Sequence, residues 1–100
     1  MASTVVHVLT FEGCPNAAAA LRAAREASSP YGERVQLIEA DLLDPRLPEV
    51  FRGYPSPTIL VGLNEVTPSG RSADGPTCHA AGAPSTEAVR LAIRRAAGEP

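Results

Sequence analysis

A chain of 100 residues is long enough for one hydrophobic core and too short for two, so we expect a single domain over residues 1–100. Hydrophobic residues make up 44% and charged residues 20%, as in globular proteins, but aromatic residues reach only 4%. The core must therefore be built from Val, Leu, Ile and Ala. The formal net charge of -2 gives no electrostatic reason to expect a nucleic acid or an anionic membrane as a partner.

The N-terminal stretch, MASTVVHVLTF, has no basic leader and is too short for a signal peptide. No apolar run approaches the roughly 20 residues that a membrane-spanning helix needs. We therefore expect a cytoplasmic protein with no membrane partner. In the cytoplasm, its two cysteines, Cys14 and Cys78, are more typical of redox chemistry, metal binding or simple burial than of a permanent disulfide.

The first part of the chain has a strand–helix–strand pattern. Residues 4–11, TVVHVLTF, form a β-branched and apolar run that predicts a strand covered on both faces. After EGCPN, residues 15–28 are predicted to form a helix with Pro15 in its first turn. Residues 34–42, RVQLIEADL, are predicted to form a second strand. A strand, a helix and a strand in this order form a βαβ unit, so the two strands should be parallel with a right-handed crossover.

The second part of the chain is rich in proline. Four prolines in residues 44–57 prevent a long helix and leave at most one turn. Residues 58–62, TILVG, are predicted to form a strand that needs a further strand as its partner. Residues 77–80, TCHA, are the better candidate, and residues 65–67, EVT, are the alternative.

The last element is predicted to be a helix that Ser85 caps. Its buried face is predicted to consist of Ala88, Leu91, Ala92 and Ile93. The complete order is βα-β-ββα: a parallel pair of strands, an antiparallel hairpin and a closing helix. This order predicts an α/β domain with about four strands in a mixed sheet and helices on both faces.

Two short motifs within this order resemble those of the thioredoxin and glutaredoxin superfamily. In that family a Cys-x-x-Cys or Cys-x-x-Ser motif begins the first helix, and a cis-proline precedes the third strand. Residues 14–17, CPNA, match the first position of the motif, and residues 56–58, SPT, match the proline element. The likeness extends over most of the chain, from about residue 4 to residue 97. It implies a thioredoxin-like fold.

The resemblance also implies roles for individual residues. Cys14 would be the attacking thiol, and the bond before Pro57 would be cis. The backbone of Ser56 would then face a bound thiol substrate, which pairs as an added strand. Pro15 and Thr58 complete the implied substrate-binding residues. The implied partner is a thiol or disulfide of a protein or a small molecule, with no cofactor.

The sequence departs from the family pattern at Ala17, where the second cysteine of the motif would stand. Local dithiol exchange is therefore not available. The stretches FEGCPN and YPSPTILVG, followed by a lone later cysteine, also resemble stretches of small thioredoxin-like proteins from actinobacteria, a group of bacteria. Some of those proteins are connected with organomercurial resistance.

Cys14 has two interpretations. A cysteine is nucleophilic only as a thiolate, and the N-terminus of a helix favours an anion. The position of Cys14 before residues 15–28 therefore indicates a reactive thiol, although Glu12 opposes the effect. Alternatively, Cys14 is a buried thiol that fills space at the end of a strand, since cysteine is among the most buried residue types.

Cys78 also has two interpretations. If residues 77–80 run antiparallel to residues 58–62, Cys78 lies near the same end of the sheet as Cys14. It would then be a candidate to resolve a mixed disulfide, provided that the Cα atoms approach within about 7 Å. A core cysteine is the alternative, and the sequence favours neither.

A zinc site is not expected. Neighbouring strand residues point to opposite faces, so Cys78 and His79 cannot both bind one ion. His7 lies in the middle of a strand, and the chain has no Cys-x-x-Cys motif. Binding of a soft metal ion between Cys14 and Cys78 remains an alternative.

The sequence thus predicts a monothiol redox protein that acts in thiol–disulfide exchange through Cys14, with Cys78 as a possible resolving thiol. The alternatives are a non-catalytic binding module with the same fold and a thiol-based binder of mercury or a similar metal.

Overall fold

A computed structural model describes residues 3–66 and 83–98, which form a four-stranded sheet and two α-helices. The strands are β1 (Thr4–Thr10), β2 (Val35–Asp41), β3 (Thr58–Val61) and β4 (Asn64–Glu65). The α-helices are α1 (Ala17–Ser28) and α2 (Thr86–Ala96), and two 3-10 segments cover Ser29–Arg34 and Glu49–Phe51. Among the described helices, none is both long and apolar enough to span a membrane.

The sheet has the strand order β2-β1-β3-β4. Strands β1 and β2 are parallel, whereas β1 with β3 and β3 with β4 are antiparallel. The predicted mixed α/β sheet is confirmed. On the side of β3 away from β1, the described neighbour is β4, Asn64–Glu65, which overlaps the alternative segment 65–67. The preferred segment, 77–80, lies outside the described residues.

Both α-helices pack on the same face of the sheet, so the prediction of helices on both faces is wrong. Val6 and Val8 of β1 point to this face and lie in one buried cluster with Ile59 and Val61 of β3. From the helices, the cluster contains Ala20, Ala24 and Ala27 of α1 and Val89 and Ile93 of α2. The apolar stripes of the two helices thus face each other as well as the sheet, and this arrangement buries both stripes at once.

The opposite face of the sheet is covered by the proline-rich connection between β2 and β3. Leu47 of this connection is buried. The ring of Phe51 lies 4.5 Å from that of His7, centroid to centroid. The guanidinium of Arg52 donates to the carbonyls of Leu47, at 2.7 Å, and Pro45, at 2.9 Å. Since the prolines allow only the 3-10 turn Glu49–Phe51, no α-helix forms in this connection.

The closing helix is capped as predicted, because the Ser85 hydroxyl accepts a hydrogen bond from the Ala88 amide. Its buried face differs from the prediction. Val89 and Ile93 are fully buried, whereas Leu91 is 46% exposed. With about 100° per residue, Leu91 lies roughly 200° around the helix from Val89 and therefore faces away from the core.

Candidate thiol site

Cys14 lies in a tight turn between β1 and α1, and only 7% of it is exposed. Its amide donates to the Phe11 carbonyl at 3.3 Å, and its carbonyl accepts from the Ala17 amide at 3.2 Å. Gly13 has a φ of +94°, which residues with a side chain rarely adopt. The turn therefore depends on glycine to place the cysteine at the carboxyl end of β1.

The helix after Cys14 begins later than predicted. It starts at Ala17, with Asn16 as N-cap, instead of at Pro15. The reason is the turn itself, which uses the Cys14 amide and the Ala17 amide for local bonds. Cys14 thus lies two residues before the N-cap, so the helix dipole acts on its sulfur from a greater distance than the sequence predicts.

The sulfur of Cys14 contacts the residue before Pro57. Its Sγ lies 3.6 Å from the carbonyl oxygen of Ser56, a residue 42 positions later in the sequence. The Ser56–Pro57 peptide bond is cis, and Ser56 is completely buried. The structure therefore brings together Cys14 and the Ser56–Pro57 element, the two parts that carry the family resemblance.

The neighbouring site residues have different environments. Thr58 is 3% exposed, and its hydroxyl donates to the carbonyl of Pro55. Its hydroxyl is therefore engaged within the protein. Pro15, in contrast, is exposed beside Cys14. The Ser56 hydroxyl is buried and has no hydrogen-bond partner among the described residues, a feature that no sequence pattern signals.

Cys14 is disulfide-bonded in the structure. A disulfide sulfur carries no proton, so its approach to the Ser56 carbonyl is then a van der Waals contact. In a reduced protein, the same geometry lets the thiol of Cys14 donate to that carbonyl. Cys78 and His79 lie outside the described residues, and the predictions for both fall there.

His7 lies away from the Cys14 turn, in the middle of β1. Burial lowers its pKa from 6.5, because desolvation disfavours the charged imidazolium. Its Nδ1 is buried without a hydrogen-bond partner in the described part of the chain. Within residues 3–66 and 83–98, the structure contains no group of three or more His, Cys, Asp or Glu residues that could hold a metal ion.

Comparison with protein-family models, with curated proteins and with solved structures finds no match to this chain. The interpretation of function therefore depends on the geometry around Cys14 and Ser56.

Proposed function

We propose that this protein is a thioredoxin-like thiol–disulfide redox protein and that the Sγ of Cys14 is its reacting atom. The observation that supports this most directly is the 3.6 Å contact between that sulfur and the carbonyl oxygen of Ser56. It joins a cysteine turn before a helix to the proline turn before β3, although 42 positions separate the two residues.

The proposed reaction is a two-step exchange. The Cys14 thiolate attacks one sulfur of a partner disulfide, a mixed disulfide forms, and the other partner sulfur leaves as a thiolate that takes up a proton. The Cys78 thiolate then attacks the sulfur of Cys14 in the mixed disulfide. This step forms a Cys14–Cys78 disulfide and releases the second partner thiolate. Two molecules of an external thiol, such as glutathione, then reduce the Cys14–Cys78 disulfide to two thiols and leave as one oxidised disulfide.

Two observations support Cys78 as the resolving thiol. Cys14 is disulfide-bonded in the structure, and the sequence contains Cys78 as its second cysteine. In addition, Ala17 occupies the position from which a local thiol would act. We place the protein in the cytoplasm, where the reducing thiol pool makes such a bond transient instead of structural.

Oxidation by oxidised glutathione tests the proposal, with mass spectrometry of the wild type and of Cys14→Ser and Cys78→Ser variants. We expect the wild type to form an intramolecular disulfide. Cys78→Ser should retain a glutathione adduct on Cys14, because the second step is removed, and Cys14→Ser should gain no comparable adduct. If the wild type forms only intermolecular dimers or glutathione adducts, Cys78 does not resolve the intermediate.

A second candidate, a non-catalytic binding module, is favoured by the burial of Cys14, which is 7% exposed. Alkylation of the reduced protein with iodoacetamide at neutral pH distinguishes the two. A redox protein should be alkylated faster at Cys14 than at Cys78, since the thiolate is the reacting form. Equal or reversed rates would identify Cys14 as a packing residue and the protein as a module.

A further inference from the structure

We infer that Thr58 is a positioning residue for Cys14: its hydroxyl holds the Ser56 carbonyl against the sulfur and so reduces the fraction of Cys14 present as thiolate. The inference rests on the proposed function, because it concerns how readily the reacting thiol ionises. It also replaces the role in substrate binding that the family resemblance implies for Thr58.

Thr58 is held firmly by the sheet. It is the first residue of β3 and lies opposite Leu9 of β1 in the antiparallel register. Both residues are buried, Thr58 at 3% and Leu9 at 0% exposure. Cys14 follows Leu9 by five residues and Ser56 precedes Thr58 by two, so the two sides of the sulfur–carbonyl contact extend from one residue pair.

The hydroxyl of Thr58 extends this rigidity into the proline turn. It donates to the carbonyl of Pro55, three residues earlier, and thereby closes a ring around Ser56 and Pro57. A backbone segment that is tied at both ends cannot easily rotate, so the Ser56 carbonyl keeps its direction toward Cys14. Without the hydroxyl, the Pro55 carbonyl loses this bond and the segment gains freedom.

The chemical consequence follows from the polarity of a carbonyl. Its oxygen can only accept a hydrogen bond. In the reduced protein, at the 3.6 Å separation that the structure shows, it would accept from the protonated thiol of Cys14 and repel the negative charge of the thiolate. Holding this oxygen in place therefore favours the thiol over the thiolate. Release of the Ser56 segment should increase the thiolate fraction at neutral pH.

Site-resolved alkylation of the reduced protein with iodoacetamide tests the role of Thr58. The rate of alkylation at Cys14 is measured at pH 7 and at pH 10 by peptide mass spectrometry. The rate at pH 7 divided by the rate at pH 10 reports the fraction of Cys14 that is thiolate at pH 7. In Thr58→Val we expect this ratio to rise about three- to tenfold, the effect of losing one hydrogen bond to the neutral form. Thr58→Ser, which keeps the hydroxyl, should retain the wild-type ratio.

The ratio separates positioning from a merely structural role. If Thr58→Val only opened the turn, both rates would rise together and the ratio would stay constant, which would overturn the inference. An unchanged ratio in Thr58→Val, or the same change in Thr58→Ser, would overturn it as well. Thr4→Val, at the opposite end of β1, is the matched control and should leave the ratio unchanged.

Two further measures keep the test decisive. If Thr58→Val does not fold, Thr58→Ala takes its place in the comparison with Thr58→Ser. If Cys14 of the wild type is alkylated at neither pH, the proposed function fails. The role of Thr58 is then tested by NMR, because the ¹³Cβ chemical shift of reduced Cys14, followed as a function of pH, reports the ionisation of the thiol directly. A titration midpoint that is equal in the wild type and the Thr58 variant would refute the positioning role.

Discussion

The rings of His7 and Phe51 lie 4.5 Å apart, centroid to centroid, at an interplanar angle of 41°. This contact fixes the proline-rich connection to the middle of β1, on the face of the sheet that neither α-helix covers. Phe51 precedes Ser56 by five residues, so the contact lies in the same connection as the Ser56–Pro57 turn. A histidine in the sheet and an aromatic ring in the connection thus hold together the strand that leads to Cys14 and the connection that leads to Ser56.

The environment of His7 predicts a loss of stability in mild acid. Burial lowers the pKa of folded His7 from 6.5, so the unfolded chain binds this proton more readily. The contribution of neutral His7 to the free energy of unfolding is therefore fully present above about pH 6.5, and it is lost as the pH falls through the pKa of His7 in the folded protein. Urea unfolding between pH 8 and pH 5 should show this decrease in the wild type and not in His7→Gln.

Two controls separate this effect from other titrations. The same measurement in His79→Gln subtracts any contribution of the second histidine. The pKa of Asp44 is lowered from 3.8, chiefly by its hydrogen bond from the Arg46 backbone amide, so its effect falls at lower pH than that of His7. If His7→Gln keeps the full pH dependence, the assignment to His7 is wrong.

Truncation of Phe51 should destabilise the protein and make His7 more accessible to water. Phe51 is half-buried, so we expect Phe51→Ala to lower the free energy of unfolding by about 1–3 kcal/mol, less than for a fully buried ring. The pKa of His7, followed by NMR, should rise toward 6.5 as hydration returns. Val50→Ala is the matched control from the same turn, where Val50 is 44% exposed, and should change the stability by less than about 0.5 kcal/mol.

Arg52 should matter for stability, whereas Arg46 should not. The Arg52 guanidinium donates to two backbone carbonyls of the connection, at 2.7 and 2.9 Å. Because hydrogen bonds from a charged group are stronger than neutral ones, we expect Arg52→Ala to cost about 1–2 kcal/mol in chemical denaturation. The side chain of Arg46 is 90% exposed in its ion pair with Asp44, so Arg46→Ala should cost little. Equal losses of unfolding free energy in both variants would contradict the prediction that the hydrogen bonds of Arg52 stabilise the connection.

The sequence predicted the strands better than their surroundings. Residues 4–11 and 58–62 are rich enough in β-branched and apolar residues to indicate β1 and β3 without ambiguity. Strand β4, in contrast, has two residues and is held by backbone pairing with Leu60 and Val61, which leaves no periodic pattern to detect. The hydrophobic stripe of a helix shows that one side is buried, but not which face of the sheet buries it. For that reason the sequence could not show that α1 and α2 share a face.

The candidate site was predictable in its parts and not in its contacts. The cysteine and the Ser-Pro-Thr element are visible in the sequence, because the residues themselves carry the resemblance. Side-chain rotamers that no spacing rule specifies determine the bond from Thr58 to Pro55 and the burial of the Ser56 hydroxyl, which has no partner within the described part of the chain. The start of α1 was missed for a related reason: the positive φ of Gly13 and the bonds of the Cys14 turn outweigh the preference of proline for a first helical turn.

Gly13 is the position at which a small substitution should alter both stability and the thiol. An added Cβ would meet no atom within 4 Å, so the cost of Gly13→Ala comes from its φ of +94°, which a residue with a side chain rarely adopts. We expect a loss of about 1–2 kcal/mol in the free energy of unfolding, measured by thermal or urea denaturation. Relaxation of the turn should also move the Cys14 sulfur outward and increase its rate of alkylation at both pH 7 and pH 10.

Gly62→Ala is the matched control for this prediction. Gly62 also has a positive φ, +57°, and an added Cβ there would meet no atom within 4 Å, but it follows β3 at the end of the sheet opposite Cys14. Its substitution should cost about 1 kcal/mol, because +57° lies within the left-handed region that other residues occasionally adopt. Alkylation of Cys14 should stay at the wild-type rate. If Gly62→Ala accelerates alkylation as much as Gly13→Ala, the acceleration reflects general loosening of the fold and not the geometry of the Cys14 turn.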